Sequence, residues 1–310
     1  MKTYSTASTY KNDRQSVVTI GTFDGVHIGH KAILKRLVET AKKEDLDSVV
    51  LTFFPHPRMV LQQNSDIKLI NTIDERTELL EKTGLDHLVI HPFTHAFSRL
   101  TALEYVRDIL VNRLKAKKII IGYDHRFGRN RNADIADLKE FGKTYDFEVE
   151  EISAKELDDV AISSTKIRKA LSEGDIEIAN NFLGYNFMIS GEVVQGKAIG
   201  RTIKYPTANL KLKETYKLVP KNGVYIVQSF IEDEKVFGIA SIGNNPTVGG
   251  TKKTIETYFL DFNKDLYGKE LTIEFLKFIR DEENFDTVEI LRQEIVKDEI
   301  FAKQYLKERE

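Results

Sequence analysis

Cysteine and tryptophan are both absent from the 310 residues. The missing cysteine excludes disulfide scaffolds, thiolate metal sites and cysteine nucleophiles. No apolar run approaches the roughly 20 residues that span a bilayer, and the opening "MKTYSTASTYKNDRQ" lacks the apolar core of a signal peptide. A soluble cytoplasmic protein is expected. An excess of one charge is lacking as well: 46 Lys and Arg stand against 48 Asp and Glu. This balance argues against a surface built for bulk nucleic acid binding and leaves room for a local cationic pocket. There is no internal repeat and no low-complexity segment.

What is present is length and periodicity. A chain this long is better served by two cores than by one. From residue 16 to about 150, short apolar runs ("SVVTIG", "SVVLTFFP", "HLVIHPF", "KKIIIG", "FEVEEI") alternate with amphipathic stretches such as "KAILKRLVETAKKEDL" and "ALEYVRDILVNRLK". Strands spaced by helical patterns predict right-handed crossovers and a parallel sheet, a Rossmann-like α/β domain that binds ligands at the carboxyl ends of its strands. After "STKIRKALSEGDIEIANNFLG" the strands come close together without helices between them, from "FMISGEVVQG" to "LTIEFLKFI". This predicts a small antiparallel barrel or sandwich, closed by an amphipathic helix at the end of the chain. The boundary is expected near residue 185, giving domains 1–184 and 185–310.

The stretch "GTFDGVHIGH", residues 21–30, lies between the first strand and the first helix. Gly21 and Gly25 permit a tight turn, Gly29 allows close approach to the helix start, and backbone N–H groups there make an anion site. His27 and His30 beside it can donate hydrogen bonds to a phosphoryl group. A metal site is the weaker reading, because no third ligand lies nearby. "ISSTKIR" adds Ser163, Ser164, Thr165, Lys166 and Arg168 at a loop-to-helix transition, a set suited to triphosphate oxygens, although alone it reads as an ordinary helix cap. His56 in "FFPHP" fits a nucleotide or flavin contact and a rigid loop equally well. "GYDHRFGRNR" places Asp124, Arg126, Arg129 and Arg131 after a buried strand.

In the second half, Gly196 and Gly200 bracket a loop that Arg201 follows, in a form able to wrap phosphates, although a plain hairpin would carry the same glycines. In "YPTANL", Thr207 and Asn209 are two apart and so share one face of a strand. Their hard oxygens suit Mg²⁺ shared with ATP phosphates, and surface polar residues would have the same spacing.

Together these segments resemble the nucleotidylyltransferase superfamily, through the HxGH signature of His27 to His30. More specifically, the chain resembles, over nearly its whole length, the bifunctional prokaryotic riboflavin kinase/FAD synthetases. The resemblance implies an N-terminal FMN adenylyltransferase domain and a C-terminal riboflavin kinase domain, both using Mg²⁺ and ATP. It implies that His27 and His30 contact ATP phosphates while Ser163, Ser164 and Arg168 hold the leaving pyrophosphate, with Thr165 a further expected nucleotide contact. Gly21, Phe23, Asp24, Gly29, His56, Asp124 and Arg126 become expected nucleotide or flavin contacts, although a turn-stabilising carboxylate explains Asp24 equally well. In the barrel it implies Glu256 of "TIETYFLDF" as the base, Thr207 and Asn209 on Mg²⁺, Gly196, Gly200 and Arg201 at ATP, and Arg280 of "FIRDEENF" at the isoalloxazine. Riboflavin, FMN, FAD and ATP are the expected partners, with no nucleic acid or membrane, for a monomer or weak homo-oligomer. The family usually has other residues where this chain has His125, Ala133, Lys204 and Asn245.

Overall fold

The computed structural model of the chain describes all residues except 63–64, 124, 154–161, 197–204, 248–249 and 310, with the side chains of 245–252 also outside the description. By its internal contacts the chain divides into Met1–Ser164 and Thr165–Glu310.

The first unit is built on a six-stranded sheet in the order β1-β4-β3-β2-β5-β6, every pairing parallel. Its strands are β1 (Lys2–Tyr4), β2 (Ser16–Ile20), β3 (Asp47–Phe53), β4 (His87–His91), β5 (Ala116–Gly122) and β6 (Glu148–Ile152). Between them run α1 (Ile28–Glu44), the short α2 (Pro57–Leu61), α3 (Ile73–Glu81), α4 (Ala102–Glu104) with its π-helical continuation Tyr105–Val111, and α5 (Ile135–Tyr145). The five strands and four long helices expected from periodicity are all present. Val18 of β2 sits in register with Val49 of β3 and Ile119 of β5, and these side chains form the core with Leu51, Val89, Leu110 and Leu114. Strands buried on both faces need continuous apolar runs, which is what "SVV" and "III" supply. The chain leaves β2 to one side for β3 and β4, then crosses to the other side for β5. The carboxyl end of β2 is therefore the topological switch point, where such sheets bind ligands.

The polar first residues carry no strand signal, yet Lys2–Tyr4 pairs with β4 and the Lys2 N–H donates to Asp86 O at 2.8 Å. Tertiary contacts fix this segment: Asn12 donates to the Asp47 carboxylate, which also lies 3.2 Å from His87 Nε2.

The second unit opens with α6 (Ser164–Glu173, whose first residue belongs to the first unit) and α7 (Ile176–Leu183). The Lys221 N–H donates to Leu171 O at 3.0 Å, and Asn180 Nδ2 donates to Phe275 O at 2.8 Å. These bonds tie both helices to the barrel segments that follow, so the division between units falls before them, while the change of periodicity marks the first strand. The strands β7 (Met188–Val194), β8 (Ala208–Lys211), β9 (Gly223–Ile231), β10 (Glu234–Thr247), β11 (Gly250–Phe259) and β12 (Glu270–Arg280) form a closed antiparallel barrel. Of the two forms left open by the sequence, closure is the one that abolishes sheet edges. The last helix, α8 (Val288–Lys307), lays Ala302, Tyr305 and Leu306 on Val224, Ile226, Ile239, Tyr258 and Leu260.

Candidate active sites

β2 ends at Ile20, and the turn that follows is strained. Phe23 and Val26 hold φ of +47° and +35°, and Gly25 holds +91°. For a β-branched residue such as Val26 that conformation persists only where the surroundings impose it, as they do at functional turns. The Phe23 ring is buried and meets the His30 ring edge-on at 5.1 Å between centroids. His27 is the N-cap of α1, with its Nδ1 accepting from the His30 N–H at 3.4 Å. The two imidazoles stack 3.6 Å apart at 18°. Gly29 makes this possible, since a Cβ there would press to 3.3 Å of the His27 ring.

Burial lowers His27 from its ordinary 6.5 to about 4, against the pull of Asp24. Burial, the neighbouring His27 and the Arg76 cation push His30 well below that ordinary value. Both rings are therefore neutral at pH 7. Because Nδ1 of His27 accepts, its proton resides on Nε2, which leaves that nitrogen as a donor. His30 Nδ1 is buried with no hydrogen-bond partner among the described residues.

A stability prediction follows from the sign of the His27 shift. The unfolded ring takes its proton near 6.5 and the folded ring near 4, so the contribution is complete above pH 6.5 and declines as pH falls towards 4. The total is about 3 kcal/mol. Denaturant unfolding between pH 7 and 4 should give a flatter pH dependence for His27→Gln than for the wild type. Superimposable profiles would contradict it.

Asp24 is buried, and its carboxylate accepts from the Ile70 N–H at 3.0 Å and the Asn71 N–H at 3.3 Å. Its own carbonyl accepts from Ser164 Oγ at 2.8 Å. Ser164 thus reaches the histidine turn; within the second unit, Thr165 is exposed and Arg168 half-buried on α6. Ser163 immediately precedes this helix. His56 is buried and caps α2, its Nδ1 accepting from the Arg58 N–H at 3.1 Å. Arg126 is exposed beside the Phe127–Ala133 bridge. Gly21 lies under the Phe23 ring. Asp124 lies outside the described residues.

In the barrel, Glu256 of β11 stands in register with Asn209 of β8, and Thr207 Oγ1 donates to Glu256 Oε2 at 3.2 Å. Along β11, Ile255, Thr257 and Phe259 are buried while Glu256 and Tyr258 occupy the other, less buried face. That alternation directs the carboxylate away from the barrel interior. A Cβ on Gly196 would meet the Asn209 amide and displace that side chain from its present position. The Thr207 hydroxyl, the Asn209 amide oxygen and the Glu256 carboxylate are hard oxygen donors, a set that fits Mg²⁺. Gly200, Arg201 and Lys204 lie outside the described residues, as does the side chain of Asn245.

Arg280 forms a two-point pair with Asp298 of α8, Nε to Oδ1 at 3.0 Å and Nη2 to Oδ2 at 2.8 Å. Burial works against the Arg280 cation, but Asp298 outweighs it and holds the guanidinium charged. The sequence reading missed two neighbours of these sites. Ser241 of β10 is exposed directly opposite Glu256, a relation that requires the register to see. Arg76 lies fully buried beside Asp24; its one signal was a charged residue at core spacing between Ile73 and Leu79.

Comparison with known proteins bears on the whole chain. The FAD synthetase family matches residues 9–166 and the riboflavin kinase family matches residues 183–306. A protein named bifunctional riboflavin kinase/FMN adenylyltransferase from Buchnera aphidicola (subsp. Acyrthosiphon pisum) is 38% identical over 293 residues, covering 94% of this chain and 93% of its own. Its namesakes from Escherichia coli (strain K12) and Listeria monocytogenes are 36% and 37% identical, covering 93% of this chain and 92% and 91% of theirs. A crystal structure described as a macrolide-efflux protein from Streptococcus pneumoniae superposes with a TM-score of 0.89 at 34% identity, covering 97% of this chain and 98% of that one. Among the described residues no helix is long and apolar enough to cross a membrane. Two family matches in tandem and full-length relatives with one shared name lead to a single conclusion: the chain belongs to the bifunctional riboflavin kinase/FMN adenylyltransferase family.

Proposed function

We propose that the chain makes FAD from riboflavin in two ATP-dependent steps, phosphorylating riboflavin on the barrel and adenylylating the resulting FMN on the α/β unit. The two activities are those of its family, and the functional boundary is taken at 184/185, just ahead of the first barrel strand. The observation that carries the reading is the pairing of chemistry with position. A stacked, neutral histidine pair caps α1 at the switch point, and Glu256 sits beside Thr207 and Asn209 on the barrel.

In the α/β unit, an FMN phosphate oxygen attacks the α-phosphorus of ATP, and the bond to pyrophosphate breaks. No proton has to be removed from the nucleophile, because the phosphate is already anionic. The protein's task is to position the phosphates and stabilise shifting charge. His27 Nε2–H and His30 donate to the transferring phosphoryl group, Ser163, Ser164 and Arg168 hold the departing pyrophosphate, and Thr165 is assigned to ATP. Gly21, Phe23 and Gly29 shape the turn, and His56, Asp124 and Arg126 are assigned to nucleotide or flavin.

In the barrel, Glu256 takes the proton of the ribityl 5′-hydroxyl as that oxygen attacks the γ-phosphorus, and ADP leaves. Thr207 and Asn209 would hold Mg²⁺, which when bound neutralises phosphate charge. Gly196, Gly200 and Arg201 are assigned to ATP, and Arg280, fixed by Asp298, to the flavin ring. We place the enzyme in the cytoplasm with small-molecule partners only, as a monomer or weak homo-oligomer. Time-resolved flavin chromatography of the pure protein with riboflavin, ATP and Mg²⁺ should resolve FMN first and FAD after it. Unchanged riboflavin would overturn the proposal.

A further inference from the structure

Behind the histidine turn lies a pair of opposite charges that the two reaction schemes do not use. Asp24 and Arg76 are each only 1% exposed, with Arg76 Nη2 3.8 Å from Asp24 Oδ1. Asp24 is also a joint between three segments. Its carboxylate collects the N–H groups of Ile70 and Asn71, and its carbonyl collects the hydroxyl of Ser164. Arg76 projects from α3, whose start is fixed by a reciprocal cap between Thr72 and Glu75. Apolar packing of equal volume often stabilises a fold as much as a buried ion pair or more, so stability alone gives little reason for this pair behind a functional turn.

We propose that Asp24 and Arg76 are a positioning pair for adenylyl transfer: Asp24 registers the histidine turn against Ser164 and the Ile70–Asn71 segment, and Arg76 sets a fixed positive charge behind the imidazoles. The inference rests on the proposed adenylyltransferase reading of this turn. Neither residue touches substrate; both act through the histidines. A cation that cannot move keeps the rings from protonating beside an incoming polyphosphate, whose own charge would otherwise draw protons onto them. The rings then meet the phosphates as oriented neutral donors at constant charge. The ionisable groups facing the rings, among the described residues, are Asp24 from the turn, Arg76 from α3 and each imidazole towards the other. The Phe23 ring that packs on His30 is neutral.

The test uses the full chain with histidine labelled at Cε1, followed by NMR across pH, together with FAD formation from FMN. Arg76→Gln removes the cation and leaves the anion, so the histidine midpoints should move up. Asp24→Asn should move them down, and the double variant should return towards wild type. Arg76→Gln should lower kcat for FAD formation about tenfold with KM for ATP within about twofold, and Arg76→Lys should recover most of it. Riboflavin phosphorylation should be unchanged throughout. Midpoints that stay put, or that move the same way in both single variants, overturn the pair. If the single variants fail to fold, the double should fold better than either, and one less stable than both overturns it. A wild-type protein that makes no FAD would sink the adenylyltransferase reading while the signs of the NMR shifts still decide the electrostatics.

Discussion

Glu256→Gln is expected to stop FMN formation from riboflavin while leaving FAD formation from added FMN intact. The substitution keeps the size of the side chain and an oxygen that can still accept from Thr207 Oγ1, so the contact at 3.2 Å survives and the base does not. General-base catalysis of this kind is worth about 10²–10⁴-fold, and that is the loss expected in kcat. Glu256→Ala should lose at least as much, with the Thr207 bond gone too. Measuring both flavin products in one preparation makes the second activity the control for folding. Equal losses of both activities would mean that Glu256 supports structure, and a fully active Glu256→Gln would remove it as the base.

His30→Ala is expected to do the reverse. Its ring is stacked on His27 at 3.6 Å and edge-on to Phe23 at 5.1 Å, so truncation removes one donor and unseats the other. Losing one preorganised donor to a developing charge typically costs about 10²–10³ in kcat. FAD formation from FMN should fall at least that far while riboflavin phosphorylation continues, and FMN should accumulate as the end product. An alanine variant that forms FAD at the wild-type rate would exclude the histidine pair from the chemistry. His27→Ala should behave similarly with some added instability, because it also deletes the cap of α1.

Much of the architecture is legible in the sequence because the signals that encode it are short-range. The alternation of buried runs with amphipathic stretches specifies the parallel sheet, and the switch to closely spaced strands specifies the antiparallel unit. Motif spacing does the same for the sites: His27 two residues before Gly29 at a helix start, and Thr207 two residues from Asn209, imply shared geometry before any fold is known. The family resemblance carried by "GTFDGVHIGH", "ISSTKIR" and "YPTANL" is of this kind, and the matches over residues 9–166 and 183–306 support it.

Contacts between distant segments obey no local rule. Strand β1 forms from a polar opening because Asn12, Asp47 and His87 meet at its side. The sequence left Asp24 divided between a turn-stabilising carboxylate and a nucleotide contact. In the fold that carboxylate is turned inward, onto the Ile70 and Asn71 N–H groups and towards Arg76. Ser241 becomes the neighbour of Glu256 only through the register of β10 on β11, and Arg280 acquires Asp298 only once α8 lies on the barrel. The sequence by itself determined the two units, their order and the spacing of the histidine, serine and threonine motifs within them. The tertiary structure alone decided which charges are buried together and how the histidines stay neutral, because desolvation and pairing depend on what packs around a group rather than on its neighbours in the chain.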